Sequence, residues 1–276
     1  MQGAENPQQF ELSSGPTTLR GEQLGDGEAV VLLHGLTATR RYVVMGSKLL
    51  AKEGHRMVGY DARGHGESDP APEPGSYEYG DLVADLAAVM DGLGIERAAV
   101  AGASMGAHTA IAFALAHPER VSGLVAITPA FGLRGEVAEF GEWDALADGL
   151  DEDGIEGFVR AWTPPADERW REVATLVVRQ RLERHRHLHA VADALRVVPR
   201  SHPFASLDDL ERLDVPVLVV GSRDDADPGH PLEVAEEYAR RLPRGTLAVE
   251  DPGKSPLAWQ GAQLSRAIDA FLADLS

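Results

Sequence analysis

One serine of the chain stands in a setting that favours nucleophilic chemistry. Ser104 lies between Gly102 and Gly106, a short apolar run precedes it, and a helical pattern follows at once. A sharp strand-to-helix turn of this kind exposes the hydroxyl, because the glycines keep neighbouring side chains out of the way. The same turn aims the N–H of Met105 at an oxyanion that develops on a substrate. The pattern predicts a serine nucleophile with a backbone oxyanion donor beside it.

Groups that could activate this hydroxyl lie in the last quarter of the sequence. Asp224 and Asp225 follow one short apolar run, and Lys254 follows the next one. His230 lies on the same loop as the two aspartates. A carboxylate that orients a base, and a base that takes the hydroxyl proton, are the two groups that a serine nucleophile needs.

The elements that must position these residues alternate between strand and helix patterns. The continuous apolar run at 29–33 predicts a strand buried on both faces, as in a parallel sheet. Further strands are predicted near 10–12, 17–19, 56–60, 98–103, 123–127, 216–220 and 246–249, and helices at about 40–53, 77–92, 105–117, 231–242 and 257–274. The sequence predicts an α/β fold with a doubly wound, mostly parallel sheet of eight strands.

The alternation is interrupted by one long helical stretch. Residues 131–205 contain no convincing strand pattern and hold Trp143, Trp162 and Trp170. We therefore expect a core domain formed by 1–130 and 206–276, with 131–205 as a helical cap over the carboxyl edge of the sheet.

With these motifs in order, the chain resembles the α/β-hydrolase superfamily. Residues 34–37 (His-Gly-Leu-Thr) resemble the family's loop after the third strand, and residues 61–68 resemble its Asp-x-Arg-Gly-x-Gly-x-Ser turn. Residues 102–106 form the Gly-x-Ser-x-Gly elbow, and residues 221–228 resemble the loop that bears the catalytic acid. The resemblance extends from residue 29 to residue 274, apart from the cap.

The resemblance implies a role for several residues. Ser104 would be the nucleophile, and the N–H groups of Leu36 and Met105 would bind the oxyanion. Asp224 would be the acid, because it lies three residues after the glycine and four before the proline, and Asp225 is the other choice.

The chain departs from the family at the base, since Lys254 stands where the family has a histidine. A lysine ammonium is protonated at pH 7, and an ion pair with Asp224 would raise its pKa further. Three alternatives follow. His230 replaces the missing base, a desolvated Lys254 serves instead, or position 254 has been changed from histidine and the enzyme is impaired. In the last case Lys254→His should restore activity.

Other side chains are candidates for substrate binding. His34 and Gly35 lie on the loop that would line the pocket rim, and Trp143 and Trp162 could form a wall of an acyl pocket as well as the core of the cap. His185, His187 and His189 are expected to form a solvated basic face of a helix, so we expect no metal site. No cofactor is expected either.

The composition of the chain argues against two classes of binding partner. The net charge of −18 argues against nucleic acid and anionic membranes, both of which need a basic footprint. No apolar run approaches the roughly 18 residues that span a bilayer. The absence of cysteine, and of a signal pattern at the N-terminus, suits a cytoplasmic protein. The oligomeric state is left open.

These observations lead to one preferred function and two alternatives. The preferred function is a serine hydrolase, a carboxylesterase that acts on small apolar esters through an acyl-enzyme at Ser104. The alternatives are a lyase or haloperoxidase-like variant of the same fold, and a ligand-binding protein that has lost catalysis.

Overall fold

The computed structural model describes residues 6–131, 140–223, 229–255 and 259–275. One sheet is formed by eight strands: β1 (Gln8–Ser14), β2 (Thr17–Leu24), β3 (Ala29–Leu33), β4 (Arg56–Tyr60), β5 (Ala98–Ala103), β6 (Val121–Ile127), β7 (Val217–Gly221) and β8 (Gly245–Val249). Their order in the sheet is β1-β2-β4-β3-β5-β6-β7-β8. β2 runs antiparallel to both of its neighbours, and β3 to β8 are parallel. The predicted mostly parallel, eight-stranded sheet is confirmed.

Helices flank this sheet on both faces. They are α1 (Leu49–Lys52), α2 (Tyr79–Gly92), α3 (Met105–Ala116), α4 (Phe140–Ala161), α5 (Glu168–Leu182), α6 (Leu188–Val197), α7 (Leu232–Arg241) and α8 (Ala262–Ala273). The helix predicted at about 40–53 was largely wrong, because only a 3₁₀ turn at Arg40–Tyr42 and the single turn α1 form there. Met45 and Gly46 have φ values of 48° and 71°, which a right-handed helix does not accommodate.

The third strand shows why a continuous apolar run belongs in the middle of this sheet. Val31 and Leu33 of β3 pack into the core on one face of the sheet, while Val30 and Leu32 pack into the core on the other. Successive side chains of a strand point to opposite faces, so a strand covered on both sides needs apolar residues at every position. This prediction from the sequence is confirmed.

The strand order brings the candidate site together. β3 and β5 are neighbours in the sheet, although β4 lies between them in the chain. The chain passes from β3 to β4 on one side of it in the sheet and then to β5 on the other side. The loops after β3 and β5 therefore open onto a common crevice. The carboxyl ends of parallel strands at such a switch point are where ligands bind in open α/β sheets.

Two glycines allow α3 to start directly on top of the sheet. A Cβ at Gly102 would lie 2.1 Å from the carbonyl oxygen of Gly106, and a Cβ at Gly106 would lie 2.2 Å from that of Leu33. Both contacts are with backbone atoms, which have no room to move away. The two glycines are therefore needed for packing as well as for the turn.

The helices between residues 140 and 200 build a buried cluster of their own. Leu150 and Phe158 of α4 pack there with Leu182 of α5 and Leu195 of α6. The other face of α6 joins a second cluster that includes Met105, the residue after the candidate nucleophile. This helical segment thus lies over the turn between β5 and α3. Within the described residues, no helix has the length and apolarity that a bilayer crossing requires.

We predict that Gly106→Ala destabilises the protein strongly. The added methyl group must displace the carbonyl of Leu33 in a central strand, so the free energy of unfolding should fall by at least about 2 kcal/mol. Gly80→Ala is the matched control, because a Cβ at this exposed position of α2 meets nothing within 4 Å. It should be neutral or stabilising by up to about 1 kcal/mol. Chemical denaturation of both variants checks this, and equal losses would contradict it.

Candidate active site

The candidate nucleophile has the backbone geometry of a strained turn. Ser104 lies between β5 and α3 with φ 51° and ψ −113°, in the left-handed half of conformational space that non-glycine residues rarely adopt. Its N–H donates to the carbonyl of Ile127 over 3.0 Å, and its own carbonyl accepts from the N–H of His108 over 3.1 Å. A strained residue of this kind persists only where its surroundings hold it in place. The predicted strand-to-helix turn at Ser104 is confirmed.

A histidine lies within hydrogen-bond distance of this serine. Nε2 of His230 is 2.8 Å from Oγ of Ser104, although 126 positions separate the two residues in the chain. His230 is half-buried on the loop that follows β7, two residues before α7 begins. In the tautomer with its proton on Nδ1, the imidazole presents a lone pair to the hydroxyl proton, which is the geometry of a general base.

Lys254 does not share this position. It lies in the turn after β8, its side chain is exposed to solvent, and no hydrogen bond or ion pair joins that side chain to any described residue. The ion pair expected between Lys254 and Asp224 involves a residue outside the described part of the chain, so it stays a prediction. Asp224 itself, and its alternative Asp225, lie outside the described residues.

A carboxylate that the sequence analysis missed organises the loop that leads to His230. Glu250 is buried at the end of β8 and accepts hydrogen bonds from the N–H of Arg223 (2.6 Å), the hydroxyl of Ser222 (3.1 Å), the hydroxyl of Ser255 and the indole N–H of Trp259 (3.1 Å). Burial acts to raise the pKa of Glu250, but these hydrogen bonds outweigh burial and hold the pKa below its ordinary value. The only signal in the sequence is an acidic residue directly after a strand.

The two candidate oxyanion donors lie beside the nucleophile. A Cβ built on Gly35 would be 3.4 Å from the Cβ of Ser104, so the loop after β3 lies against the serine. In the described part of the chain, neither the N–H of Leu36 nor that of Met105 donates to a protein acceptor. Met105 is the first residue of α3, where helix geometry leaves N–H groups unpaired and the helix dipole favours negative charge.

His34, a candidate substrate-binding residue on the sequence, links two loops through its ring. Its imidazole is buried, its Nδ1–H donates to the carbonyl of Gly35 (2.8 Å), and its Nε2 accepts from the N–H of Ala62 (2.9 Å). Burial, together with the neighbouring His65, keeps the pKa of His34 well below its ordinary value. The neutral ring therefore joins the loop after β3 to the loop after β4, and neither nitrogen remains for a substrate.

His185 corrects the expectation of a solvated basic face. The residue is buried in the turn between α5 and α6, with Nδ1 accepting from the N–H of Gly66 (2.8 Å) and Nε2–H donating to the carbonyl of Thr37 (2.9 Å). Burial lowers its pKa to about 3. Because α5 ends at Leu182, no helix face exists there for the three histidines to share. Among the described residues, no group of acidic or histidine side chains is arranged to hold a metal.

Two further buried histidines hold loops around the site. His65 donates from Nδ1–H to the carbonyl of Arg63, and burial lowers its pKa to about 4. His108 accepts from the N–H groups of Ala130 (3.1 Å) and Phe131 (3.2 Å), on the segment after β6. Burial, and secondarily His230, lowers the pKa of His108 to about 3. Both rings are therefore neutral at physiological pH.

The two tryptophans proposed for substrate binding lie at the margin of the helical segment's own cluster. Trp143 and Trp162 are half-buried, and both pack against that cluster together with Leu36. Leu36 also packs against the cluster that contains Met105. The apolar surface around the candidate oxyanion donors thus comes from both the sheet loops and the helical segment.

Comparison with known proteins fits this geometry. The profile of the family described as "alpha/beta hydrolase fold" matches residues 28–203. The 2-hydroxy-6-oxononadienedioate/2-hydroxy-6-oxononatrienedioate hydrolase 2 of Pseudomonas putida is 31% identical over 270 residues, which are 92% of this chain and 91% of that protein.

Solved structures show the same architecture. A thermophilic esterase from Thermogutta terrifontis superposes with a TM-score of 0.77 at 25% identity, covering 97% of this chain and 99% of that one. The enol-lactonase from Burkholderia xenovorans LB400 superposes with a TM-score of 0.75 at 23% identity, covering 96% of this chain and 100% of that one, and indicates the fold alone.

We predict that the buried neutral histidines make the fold sensitive to mild acid. Between pH 6.5 and about 4 the unfolded chain binds a proton at position 65 that the folded protein excludes, so stability falls as the pH falls. The loss is up to about 1.4 kcal/mol per pH unit for each such histidine. In His65→Asn, the uncharged amide can still donate to the carbonyl of Arg63. The slope of unfolding free energy against pH should therefore decrease by up to about 1.4 kcal/mol per pH unit, which corresponds to one proton fewer taken up on unfolding.

Urea denaturation of the original protein and of His65→Asn at pH 7, 6 and 5 checks this. Parallel curves for the two proteins would show that His65 is protonated equally in the folded and unfolded states, and would refute the prediction.

Proposed function

The chain belongs to the α/β-hydrolase family, and we propose that it is a serine hydrolase in which His230 activates Ser104. The single observation that carries the proposal is the 2.8 Å separation between Nε2 of His230 and Oγ of Ser104. A protein that had lost catalysis would have no reason to keep a base at the nucleophile, so this contact favours an enzyme over a ligand-binding protein.

The proposed reaction is acyl transfer to the serine. His230 takes the hydroxyl proton as Oγ of Ser104 attacks the ester carbonyl, and the N–H groups of Leu36 and Met105 stabilise the negative charge on the carbonyl oxygen. The imidazolium then gives its proton to the departing alkoxide, which leaves an acyl-enzyme. His230 next takes a proton from water as the hydroxide adds to the acyl carbonyl. The imidazolium then returns this proton to Oγ of Ser104 as the acid departs, which restores both residues.

The orienting carboxylate is proposed from the family resemblance. Asp224 would hold the proton-bearing Nδ1 of His230 and stabilise the imidazolium that forms during each proton transfer. It precedes His230 by only six positions in the sequence, which supports the pairing of acid and base. Glu250 supports this arrangement by fixing Ser222 and Arg223 at the start of that loop.

We further propose small apolar esters as the substrate class. Trp143 and Trp162 are half-buried against the same cluster on which Leu36 packs, and the structural neighbour from Thermogutta terrifontis is an esterase. The same contacts support the division of the chain into a core of 1–130 and 206–276 and a cap of 131–205 that closes over the site.

Steady-state hydrolysis of p-nitrophenyl acetate and butyrate tests the assignment of the base. Ser104→Ala and His230→Gln should each reduce kcat/KM by at least about 10²-fold, since loss of one member of such a pair disables the whole unit. Lys254→Met is the matched control and should stay within about threefold, because this side chain lies in solvent. Lys254→His should bring no gain.

Two outcomes would overturn the proposal. If Lys254→Met abolishes a hydrolysis that His230→Gln leaves intact, Lys254 is the base and the assignment is wrong. If Ser104→Ala retains the full rate, the serine is not the nucleophile.

A further inference from the structure

We propose that His185, which belongs to the helical segment, is a positioning residue that holds the oxyanion loop, defined as residues 34–38. The inference rests on the proposed function, since it concerns how one of the two oxyanion donors, Leu36, is placed. His185 is 148 positions away from Thr37 in the sequence, and one hydrogen bond joins the two residues.

The oxyanion loop contains a turn that is strained in its own right. The N–H of Ala38 donates to the carbonyl of Gly35 over 3.0 Å, so Leu36 and Thr37 are the two central residues of a β-turn. Thr37 has φ 63°, a value at which turns normally place glycine or asparagine. A β-branched residue does not settle in this conformation unaided, so contacts outside the turn must hold it.

His185 supplies such a contact in a defined tautomer. The N–H of Gly66 points at Nδ1, and because an N–H can only donate, Nδ1 carries no proton. The proton is therefore on Nε2, which faces the carbonyl of Thr37 at 2.9 Å. The loop after β4 thus sets the tautomer with which His185 reaches the oxyanion loop.

The turn that carries His185 is itself anchored. The N–H of Arg186 donates to the carbonyl of Gly66 over 2.9 Å, so both polar groups of the Gly66 backbone are bonded to residues 185 and 186. On the other side, Oδ2 of Asp61 accepts from the N–H of the next residue, Glu67, over 3.0 Å, and a Cβ at Gly66 would lie 2.2 Å from this oxygen. His185 therefore cannot shift without moving the loop after β4 as well.

The surroundings keep the ring neutral, as the donor–acceptor pattern requires. The ring of His65 lies 5.5 Å from that of His185, and burial, His65 and Arg181 all disfavour an added proton. With Nδ1 free to accept, the bond from Gly66 and the bond to Thr37 are compatible. Since Leu36 also packs on the helical segment, docking of that segment and formation of the oxyanion site are coupled.

Two isosteric substitutions separate the two bonds of His185. In His185→Gln, the amide nitrogen can take the place of Nε2 and keep a donor for Thr37. In His185→Asn, the amide oxygen can take the place of Nδ1 and keep an acceptor for Gly66, while the donor for Thr37 is lost. Each variant buries one amide in the same pocket, so each serves as the control for the other.

Ester hydrolysis should distinguish the two variants through kcat. His185→Asn should lower kcat by about 10- to 100-fold with KM within about threefold, because a misplaced oxyanion donor acts in the transition state. His185→Gln should keep kcat within about threefold. If the residue only stabilises the fold, both variants should lose thermal stability while kcat per folded molecule stays the same, and the proposal would be overturned.

Amide hydrogen exchange gives a readout that needs no activity. The N–H of Ala38 closes the turn, so its protection reports the order of the oxyanion loop. Protection at Ala38 should fall at least about tenfold in His185→Asn and much less in His185→Gln. If the unmodified protein shows no Ser104-dependent hydrolysis, the proposed function is overturned, but the role of His185 in ordering the loop is not. Equal exchange in the two variants would overturn the role of His185.

Discussion

The close approach of α3 to β5 is the constraint on which the site depends. Gly102 and Gly106 let the helix start within van der Waals distance of two strands, and the chain enters that helix through a turn with positive φ at Ser104. The turn exposes the serine hydroxyl and leaves the N–H of Met105 unpaired at the helix start. Packing of small residues in the sheet therefore exposes the hydroxyl of Ser104 and leaves one candidate oxyanion donor beside it.

Loops around this turn are held by neutral histidines buried between them. His34 joins the loops after β3 and β4, His185 joins the same two loops to the helical segment, and His108 holds the segment after β6. A neutral imidazole offers one donor and one acceptor on opposite sides of a rigid ring, which suits a bridge between a carbonyl and an N–H. The cost is sensitivity to acid, since burial excludes the proton from each ring.

The sequence predicted those features that depend on local pattern. The run at 29–33, the elbow at Ser104 and the alternation of strands and helices each reflect the period of one element or the demands of one turn. The region 40–53 was mispredicted as a helix, because apolar spacing there does not reveal the positive φ values of Met45 and Gly46.

The parts that sequence could not establish depend on long-range contacts. His230 was one of three alternatives for the base, and only the fold brings it to a serine 126 positions away. His185 was placed on a solvated helix, since nothing in its neighbours shows that the helix ends at Leu182 and that two loops enclose the ring. No sequence motif identifies Glu250, because Ser222 and Arg223 reach its carboxylate only when β7 and β8 pair.

The measurement that tests the account most directly is the rate at which a fluorophosphonate modifies the serine. This reagent needs an activated hydroxyl but no matching substrate, so it separates the chemistry of the pair from the unknown acyl and alcohol groups. The account predicts modification of the peptide that contains Ser104, at a rate at least about 10²-fold lower in His230→Ala and unchanged in Lys254→Ala. Equal rates in the unmodified protein and His230→Ala would show that His230 does not activate Ser104, and would contradict the account.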